Sequence, residues 1–168
     1  MHDIYISIET TGVSYLNDKV IEIAALKIDK KTKLKTLYHQ YFNPEKELTP
    51  EVSGIVNLTN TFLKQCPKIK ERIENFLLFV KDCNLIMHNK EFVMSFLNKE
   101  MQNHLINYKT VDTLELARKR YPNDKNNLDF LFRALYLERN VMQSCVNEVN
   151  LLPLLLEKIK DHEVFKIN

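Results

Sequence analysis

The chain has 168 residues, of which 45% are hydrophobic, and its formal net charge is +2. This length allows one domain with a full core and is short for two, so we expect a single domain over residues 1–168. The mildly basic charge is compatible with nucleic acid without indicating it.

The cysteines and histidines argue against disulfides and zinc. Cys66, Cys83 and Cys145 are odd in number and form no C-x-x-C pair, which indicates free, largely buried thiols. The five histidines are scattered and predict no zinc site. The N-terminus reads as a strand and no apolar run is long enough for a membrane span, so we expect a cytoplasmic protein without a membrane partner.

The first part of the chain predicts three strands and two short helices. The segments "DIYISIE", "DKVIEIAALKID" and "KLKTLYHQYFNP" read as strands, the last two joined by the turn-like "DKKTK" as in a hairpin. The segments "TPEVSGI" and "LTNTFLKQ" read as short helices, each opened by a threonine cap.

Helices and strands alternate in the rest of the chain. Pro67 begins an amphipathic helix, "PKIKERIENFLLFVKDC", followed by a short buried strand, "NLIMH", and a helix capped by Asn89. A last strand, "INYKTVD", precedes three helices: "TLELARKRY", "NLDFLFRAL" and "VNEVNLLPLLLEKIKDH", the last with a predicted kink at Pro153. This order predicts a mixed α/β sheet of five strands, three antiparallel and then two parallel, flanked by helices.

Glu9 stands at the end of the first strand, in "IETTG", before one of the chain's two glycines. This stretch and "VIEIAALKID" resemble the first motif, D-x-E-T-T-G, of the DnaQ-like (DEDDh) 3′–5′ exonucleases, a family with a ribonuclease H-like fold that includes the proofreading epsilon subunit of bacterial DNA polymerase III. Further segments resemble later family motifs in the same order: "SGIVNLTNTFLKQCP", "LIMHNKEFVMSFLNKEM", "TVDTLELARKRYPNDKNNLDFL" and "QSCVNEVNLL".

The resemblance implies a two-metal site with four carboxylates and a histidine that acts as general base. Matched to the family motifs, the first aspartate position is Ser7 and the glutamate is Glu9, both on one face of a strand. The remaining positions are Val93 for the second aspartate, Gln143 for the histidine and Glu148 for the last aspartate.

Glu9 and Glu148 are thus the retained acids, and Ser7, Val93 and Gln143 are substitutions. Hard cations need oxygen ligands of high charge density, so we expect no cofactor, or weakly bound Mg²⁺ or Mn²⁺ at Glu9 and Glu148. Three neighbours could stand in for the missing groups, but their spacing places them badly: Asp3, Glu91 and Asn147.

The resemblance also implies substrate contacts at five positions: Thr10, Thr11, Val56, His88 and Asn89. Val56 replaces a family histidine, and His88, Asn89 and the nearby Asp112 equally fit structural roles as loop and cap residues. A basic segment could hold phosphates or be a solvated helix face; its charged members are Lys109, Arg118, Lys119, Arg120 and Lys125.

These substitutions predict a degenerate, catalytically inactive exonuclease-fold domain that acts as a binding module. Its expected partners are a DNA polymerase, another replication or repair protein, or a single-stranded nucleic-acid end. The alternative is an active 3′–5′ exonuclease on DNA or RNA with an atypical metal site at Glu9 and Glu148. Leucines 151, 152, 154, 155 and 156 exceed one helical face, which adds modest support for docking.

Overall fold

The computed structural model of the protein describes residues 2–137 and 144–161. The strands are β1 (His2–Thr10), β2 (Val20–Asp29), β3 (Lys35–Tyr41), β4 (Cys83–Met87) and β5 (Thr110–Asp112). The helices are α1 (Pro50–Val56), α2 (Asn60–Lys64), α3 (Ile73–Val80), α4 (Lys90–Glu100), α5 (Thr113–Arg120), α6 (Leu128–Ala134) and α7 (Cys145–Lys160).

The strands form one mixed sheet in the order β3-β2-β1-β4-β5. β1 is antiparallel to β2, β2 is antiparallel to β3, and β4 and β5 continue parallel to β1, which confirms the predicted arrangement. His2 pairs with both Asp29 and Cys83, so β1 and β4 start together, and we call this edge the amino end of the sheet. The opposite edge, where β1 finishes at Thr10 and β4 at Met87, is the carboxyl end.

Alternation along β1 gives the sheet two apolar faces. Ile4, Ile6 and Ile8 belong to a cluster that also contains buried side chains of α3 and α4. Tyr5, one position out of phase, belongs to a second cluster with buried side chains of α5, α6 and α7. Because successive strand residues point to opposite faces, residues 7 and 9 lie on the α7 face.

Polar side chains cap the helices at the positions expected from the sequence. Thr49 and Thr59 accept backbone N–H bonds at the starts of α1 and α2, and Asn89 does so for α4. Asp112 caps α5 in the same way, accepting from Leu114 N. These caps satisfy N–H groups that would otherwise lack a partner in the first turn.

Two predicted elements differ from the structure. The helix predicted from Pro67 is broken into a short 3₁₀ turn, Ile69–Glu71, and α3, because Arg72 leaves helical geometry with φ −126° and ψ 1°. The predicted strand "INYKTVD" pairs only over Thr110–Asp112, because the segment before it turns, with Tyr108 N donating to the Leu105 carbonyl.

α7 runs as one helix through Pro153, and three of its leucines, Leu152, Leu155 and Leu156, are buried. Leu154 is 45% exposed, so the leucines do exceed one face. All three cysteines are free, with Cys83 and Cys145 buried and Cys66 partly exposed. Within residues 2–137 and 144–161, no helix is both long and apolar enough to cross a bilayer.

Candidate functional site

Ser7 and Glu148 meet at the carboxyl end of the sheet. The Ser7 Oγ donates a hydrogen bond to Glu148 Oε2 at 2.6 Å, although the two residues are 141 positions apart. Ser7 is buried on β1, and Glu148 lies in the first turn of α7, which Ser144 caps. The fold therefore brings together two of the sequence-predicted site residues, as a hydroxyl donor and a carboxylate acceptor.

Glu9 has an acidic neighbour that the sequence analysis missed. The register of β1 and β2 pairs Glu9 with Glu22, whose residue surface is 2% exposed. Glu22 Oε1 lies 2.8 Å from His39 Nε2 on β3, so a histidine faces this buried acid. A charged residue inside the apolar run "VIEIAAL" was the available signal, since buried acids need a partner.

Cys145, at the start of α7, lies among these acids. Burial raises the pKa of its thiol well above the usual value, and the charges of Glu22, Glu9 and Glu148 raise the pKa further. A thiol in such surroundings stays protonated and is a poor nucleophile. The structure thus brings Glu9 and Glu148 to one neighbourhood and places a neutral, buried side chain there.

The second aspartate position supplies no ligand. Val93 is 4% exposed and belongs to the apolar cluster with Ile6 and Ile8, on the face opposite Ser7. Gln143, the position of the expected general base, lies outside the described residues.

The suggested substitute acids are directed elsewhere. Asp3 accepts a hydrogen bond from Asn84 Nδ2 and forms an ion pair with Lys30, both at 2.9 Å. Glu91 is exposed in the first turn of α4. In the part of the chain that the structure describes, no three His, Cys, Asp or Glu side chains are grouped to hold a metal ion. At the positions matched to the family's first two aspartates, Ser7 offers a neutral hydroxyl and Val93 no oxygen, which is a poor fit to a pair of hard divalent cations.

The turn after Glu9 is held by Asp18. The Thr11 hydroxyl donates to Asp18 Oδ1 at 3.0 Å, and Ser14 N donates to Asp18 Oδ2 at 3.0 Å. A Cβ on Gly12 would lie 2.5 Å from the same carboxylate, so a larger residue there would displace Asp18 from these hydrogen bonds. Thr10 donates to the Gly12 carbonyl. Both threonines predicted to contact substrate thus have partners within the turn.

His88 is fixed between β4 and the segment before α6. Its Nε2 lies 2.8 Å from the Asn126 carbonyl oxygen, which requires an N–H there, and its Nδ1 lies 2.9 Å from the Thr113 hydroxyl. Burial lowers the pKa of His88 to about 4, so the ring is neutral at physiological pH. Asp112 accepts from Asn89 N at 3.0 Å as well as capping α5. These contacts fit the structural alternative for His88, Asn89 and Asp112.

A cleft of about 790 Å³ opens beside Glu148, between His88, the α5 helix and the start of α6. Of the lining residues that the structure describes, Arg118 is basic and three are acidic: Asp124, Asp129 and Glu148. The predicted substrate contact Val56 does not line this cleft and is buried in a separate cluster with Ile21, Leu48 and Leu63. Lys119 is paired with Glu115 at 2.6 Å on an exposed face, as the solvated-face alternative expects.

The sheet order, with a polar site at the carboxyl end of β1 facing α7, defines a ribonuclease H-like nuclease fold. A family model described as "Exonuclease", of RNase T type, matches residues 4–142. The chain therefore belongs to the RNase T and DnaQ-like exonuclease family, which confirms the resemblance drawn from its motifs.

The relatives and structural neighbours agree with this assignment. The DNA polymerase III subunit epsilon of Buchnera aphidicola subsp. Schizaphis graminum is 33% identical over 140 residues, which cover 76% of this chain. The aligned part of this chain spans 60% of the length of that relative.

Two solved structures share the fold. Exonuclease X, in complex with 5′ overhanging duplex DNA, superposes with a TM-score of 0.73 at 19% identity, covering 94% of this chain and 90% of that one. E. coli exonuclease I, in complex with a dT13 oligonucleotide, has a TM-score of 0.81 at 14% identity, covering 94% of this chain and 41% of that one.

Proposed function

We propose that this exonuclease-fold domain is catalytically silent and acts as a binding module of a DNA polymerase or another replication or repair assembly. The observation that carries the proposal is the 2.6 Å hydrogen bond from Ser7 to Glu148. Glu148, one of the two retained acids, accepts this bond from Ser7. Ser7 stands at the position where the family places a metal-binding carboxylate.

The chemistry of the family explains why this bond matters. Two-metal phosphodiester cleavage uses one ion to prepare the attacking hydroxide and another to stabilise the leaving oxygen. Mg²⁺ binds through oxygen ligands of high charge density. Ser7 is uncharged and donates a hydrogen bond to the neighbouring acid. The buried Val93, at the second aspartate position, has no side-chain oxygen at all.

The binding role is supported by the relatives of this chain and by its intact fold. Its relatives are named as subunits of DNA polymerase III, and a subunit binds other subunits of its assembly. The caps, the turn after Glu9 and the sheet remain intact around the substituted site. A fold that is intact around Ser7 and Val93, where two family carboxylates are missing, supports binding as the remaining function.

The rival function is an active 3′–5′ exonuclease that works through Glu9 and Glu148, and family membership favours it. The discriminating measurement is digestion of a labelled single-stranded oligonucleotide in Mg²⁺ and in Mn²⁺. We expect no digestion by the wild type beyond that of its Glu9→Ala variant. Digestion that Glu9→Ala abolishes would overturn the proposal.

A restoration variant tests the cause of silence. Ser7→Asp and Gln143→His together return two of the missing family groups, and Ser7→Asn with Gln143→His forms a matched control of similar shape without the added charge. Val93 is left unchanged, because its side chain lies in the apolar cluster on the face opposite Ser7. Both variants carry the histidine, so the difference between them measures the added carboxylate alone. Because a bound metal ion stabilises transition-state charge by several kcal/mol, we expect the charged variant to exceed the control by at least about 100-fold. Equal rates in the two variants would contradict the electrostatic explanation.

A further inference from the structure

The amino end of the sheet carries a concentration of lysines, far from the candidate site. They lie on β2, in the β2–β3 turn, at the start of β3, and immediately before β4 and β5: Lys27, Lys30, Lys31, Lys33, Lys35, Lys81 and Lys109. Asp3, Asp29 and Asp82 lie at this end as well. Burial raises the pKa of Tyr5 on β1, and the charges of Asp3 and of Glu157, on α7, raise it further, so Glu157 is near this end too. The formal charge of the whole chain is only +2, so positive charge is concentrated here.

Hydrogen bonds to Asp29 hold the β2–β3 turn, which carries the central lysines. The Asp29 carboxylate accepts from Lys31 N at 2.8 Å and from Thr32 N at 2.7 Å, and these bonds lower the pKa of Asp29. Lys33 N donates to the Asp29 carbonyl at 2.9 Å. Asp29 is thus occupied by the turn backbone and by His2, at 3.3 Å, rather than by a lysine side chain.

In the described part of the chain, three lysines of the β2–β3 hairpin have no acidic partner, whereas two nearby lysines are engaged. Asp3 pairs with Lys30, and Lys27 lies 4.5 Å above the ring of Phe79. Among residues 2–137 and 144–161, no ion pair involves Lys31, Lys33 or Lys35, and all three are exposed. Lys31 and Lys33 in the turn and Lys35 at the start of β3 are therefore three lysines on one hairpin that are unpaired within the described ranges.

The cleft at the carboxyl end has the opposite character. Among its described lining residues, the acids Asp124, Asp129 and Glu148 outnumber the basic Arg118. A polyanion would be repelled by this lining and attracted by the amino end.

We propose that the amino end of the sheet binds the sugar–phosphate backbone of nucleic acid, without sequence preference, through Lys31, Lys33 and Lys35. Lysine is a compact, flexible point charge that suits such contacts, whereas base readout favours planar, bidentate arginine. The inference rests on the binding role in the proposed function and names nucleic acid as the partner. The proposed nucleic-acid contact is therefore at the end of the sheet opposite the cleft.

The test measures binding of the full chain to a fluorescent oligo-dT 20-mer and to a 20-bp duplex by anisotropy, over 50–200 mM salt. Replacing Lys31, Lys33 and Lys35 by alanine removes three phosphate contacts, so the slope of log affinity against log salt should fall by about 2 for the single strand. The affinity at 100 mM salt should fall at least about 10-fold.

The matched control removes the same charge elsewhere, with Lys64, Lys90 and Lys119 replaced by alanine; Arg118→Ala tests the cleft. We expect each control to change the affinity less than about threefold, because these residues lie away from the amino end. Unchanged circular dichroism and melting temperature establish that all variants are folded.

Three outcomes overturn the inference: no salt-dependent binding by the wild type, an equal loss in the control triple variant, or a larger loss from Arg118→Ala. Binding of the wild type to an acidic peptide or to phosphatidylserine vesicles, with no binding to either oligonucleotide, would assign the surface to another partner and also overturn it. None of these outcomes changes the nuclease assay, so failure here leaves catalytic silence untouched, and a positive nuclease assay leaves the lysine surface untouched.

Discussion

The two ends of the sheet use their polar residues in different ways. At the carboxyl end, Ser7, Glu148 and His88 each contact another polar group of the fold, and the His88 ring and the Ser7 hydroxyl are largely withdrawn from water. At the amino end, Lys31 and Lys33 are exposed on a turn that is held by Asp29 instead.

This difference predicts that the polar groups at the carboxyl end stabilise the fold and that the exposed lysines at the amino end serve binding. Groups that are buried with partners stabilise the fold, and removing one leaves its partner unsatisfied. Exposed, unpaired lysines contribute little to folding and remain available to a ligand. Substitutions of the buried polar groups at the carboxyl end should therefore lower the free energy of unfolding, whereas substitutions of the exposed lysines at the amino end should change binding alone.

The largest expected effect is a pH dependence caused by His88. Its pKa is about 4 in the folded chain and 6.5 as an unperturbed group, so the unfolded state binds more protons between these values. The stabilisation is fully present above about pH 6.5 and is lost as the pH falls toward 4, by at most about 3 kcal/mol.

Urea unfolding at pH 4.5 and 7 should show this slope in the wild type and a much smaller one in His88→Gln, which removes the titrating ring. His104→Gln, at an exposed histidine, is the control and should keep the wild-type slope. Identical slopes in the wild type and His88→Gln would contradict the assigned role.

The next effect concerns Ser7. Ser7→Ala removes the donor to Glu148, and the free energy of unfolding should fall by about 2 kcal/mol because a partly buried carboxylate loses its hydrogen bond. Ser95→Ala removes a serine bond of the same 2.6 Å length on an exposed helix surface and should cost less than about 0.5 kcal/mol. Equal losses in chemical denaturation would show that the Ser7 bond has no special importance.

Lys99 tests the loop between β1 and β2. Its Nζ donates to the carbonyl oxygens of Tyr15, Leu16 and Asp18 at 2.6, 3.1 and 3.3 Å. Lys99→Met keeps the aliphatic stem and removes these bonds, so the free energy of unfolding should fall by about 1–2 kcal/mol. Hydrogen exchange of the loop amides should accelerate in Lys99→Met and stay unchanged in the control Lys90→Met. Exchange in Lys99→Met as slow as in the control would refute the anchoring role.

The smallest effect is expected at the amino end. Replacing Lys31, Lys33 and Lys35 by alanine should change the free energy of unfolding by less than about 0.5 kcal/mol, since these side chains are exposed and unpaired. Asp29→Ala, which removes the turn's acceptor, should lower the urea midpoint more than the lysine variant does. A loss above 1 kcal/mol in the lysine variant would mean that these lysines stabilise the fold.

Local signals in the sequence predicted much of the fold. Thr49, Thr59, Asn89 and Asp112 were recognised as caps because capping depends on residues two or three positions away. The helix predicted from Pro67 was wrong in its extent, because apolar periodicity does not reveal a break such as Arg72. Pairing in β5 is similarly limited by neighbouring turns and not by strand propensity.

Prediction of the site depended on the family resemblance. It could not extend to contacts that are set by strand register or by the pairing of charges in space. Glu9 and Glu148 were found by motif, but Glu22 was missed because its closeness to Glu9 comes from strand register. The lysines of the β2–β3 turn were read as turn residues, and their isolation from acids becomes visible only when Asp29 and Asp3 are seen to be occupied.

The sequence by itself determined the order of strands and helices and the family, because these are properties of residue type and spacing along the chain. The tertiary structure alone decided that Ser7 donates to Glu148 across 141 residues and that the free lysines lie at the end of the sheet away from the cleft. Hydrogen bonds and electrostatic fields depend on distances in space, and those distances are set when the sheet and α7 pack together.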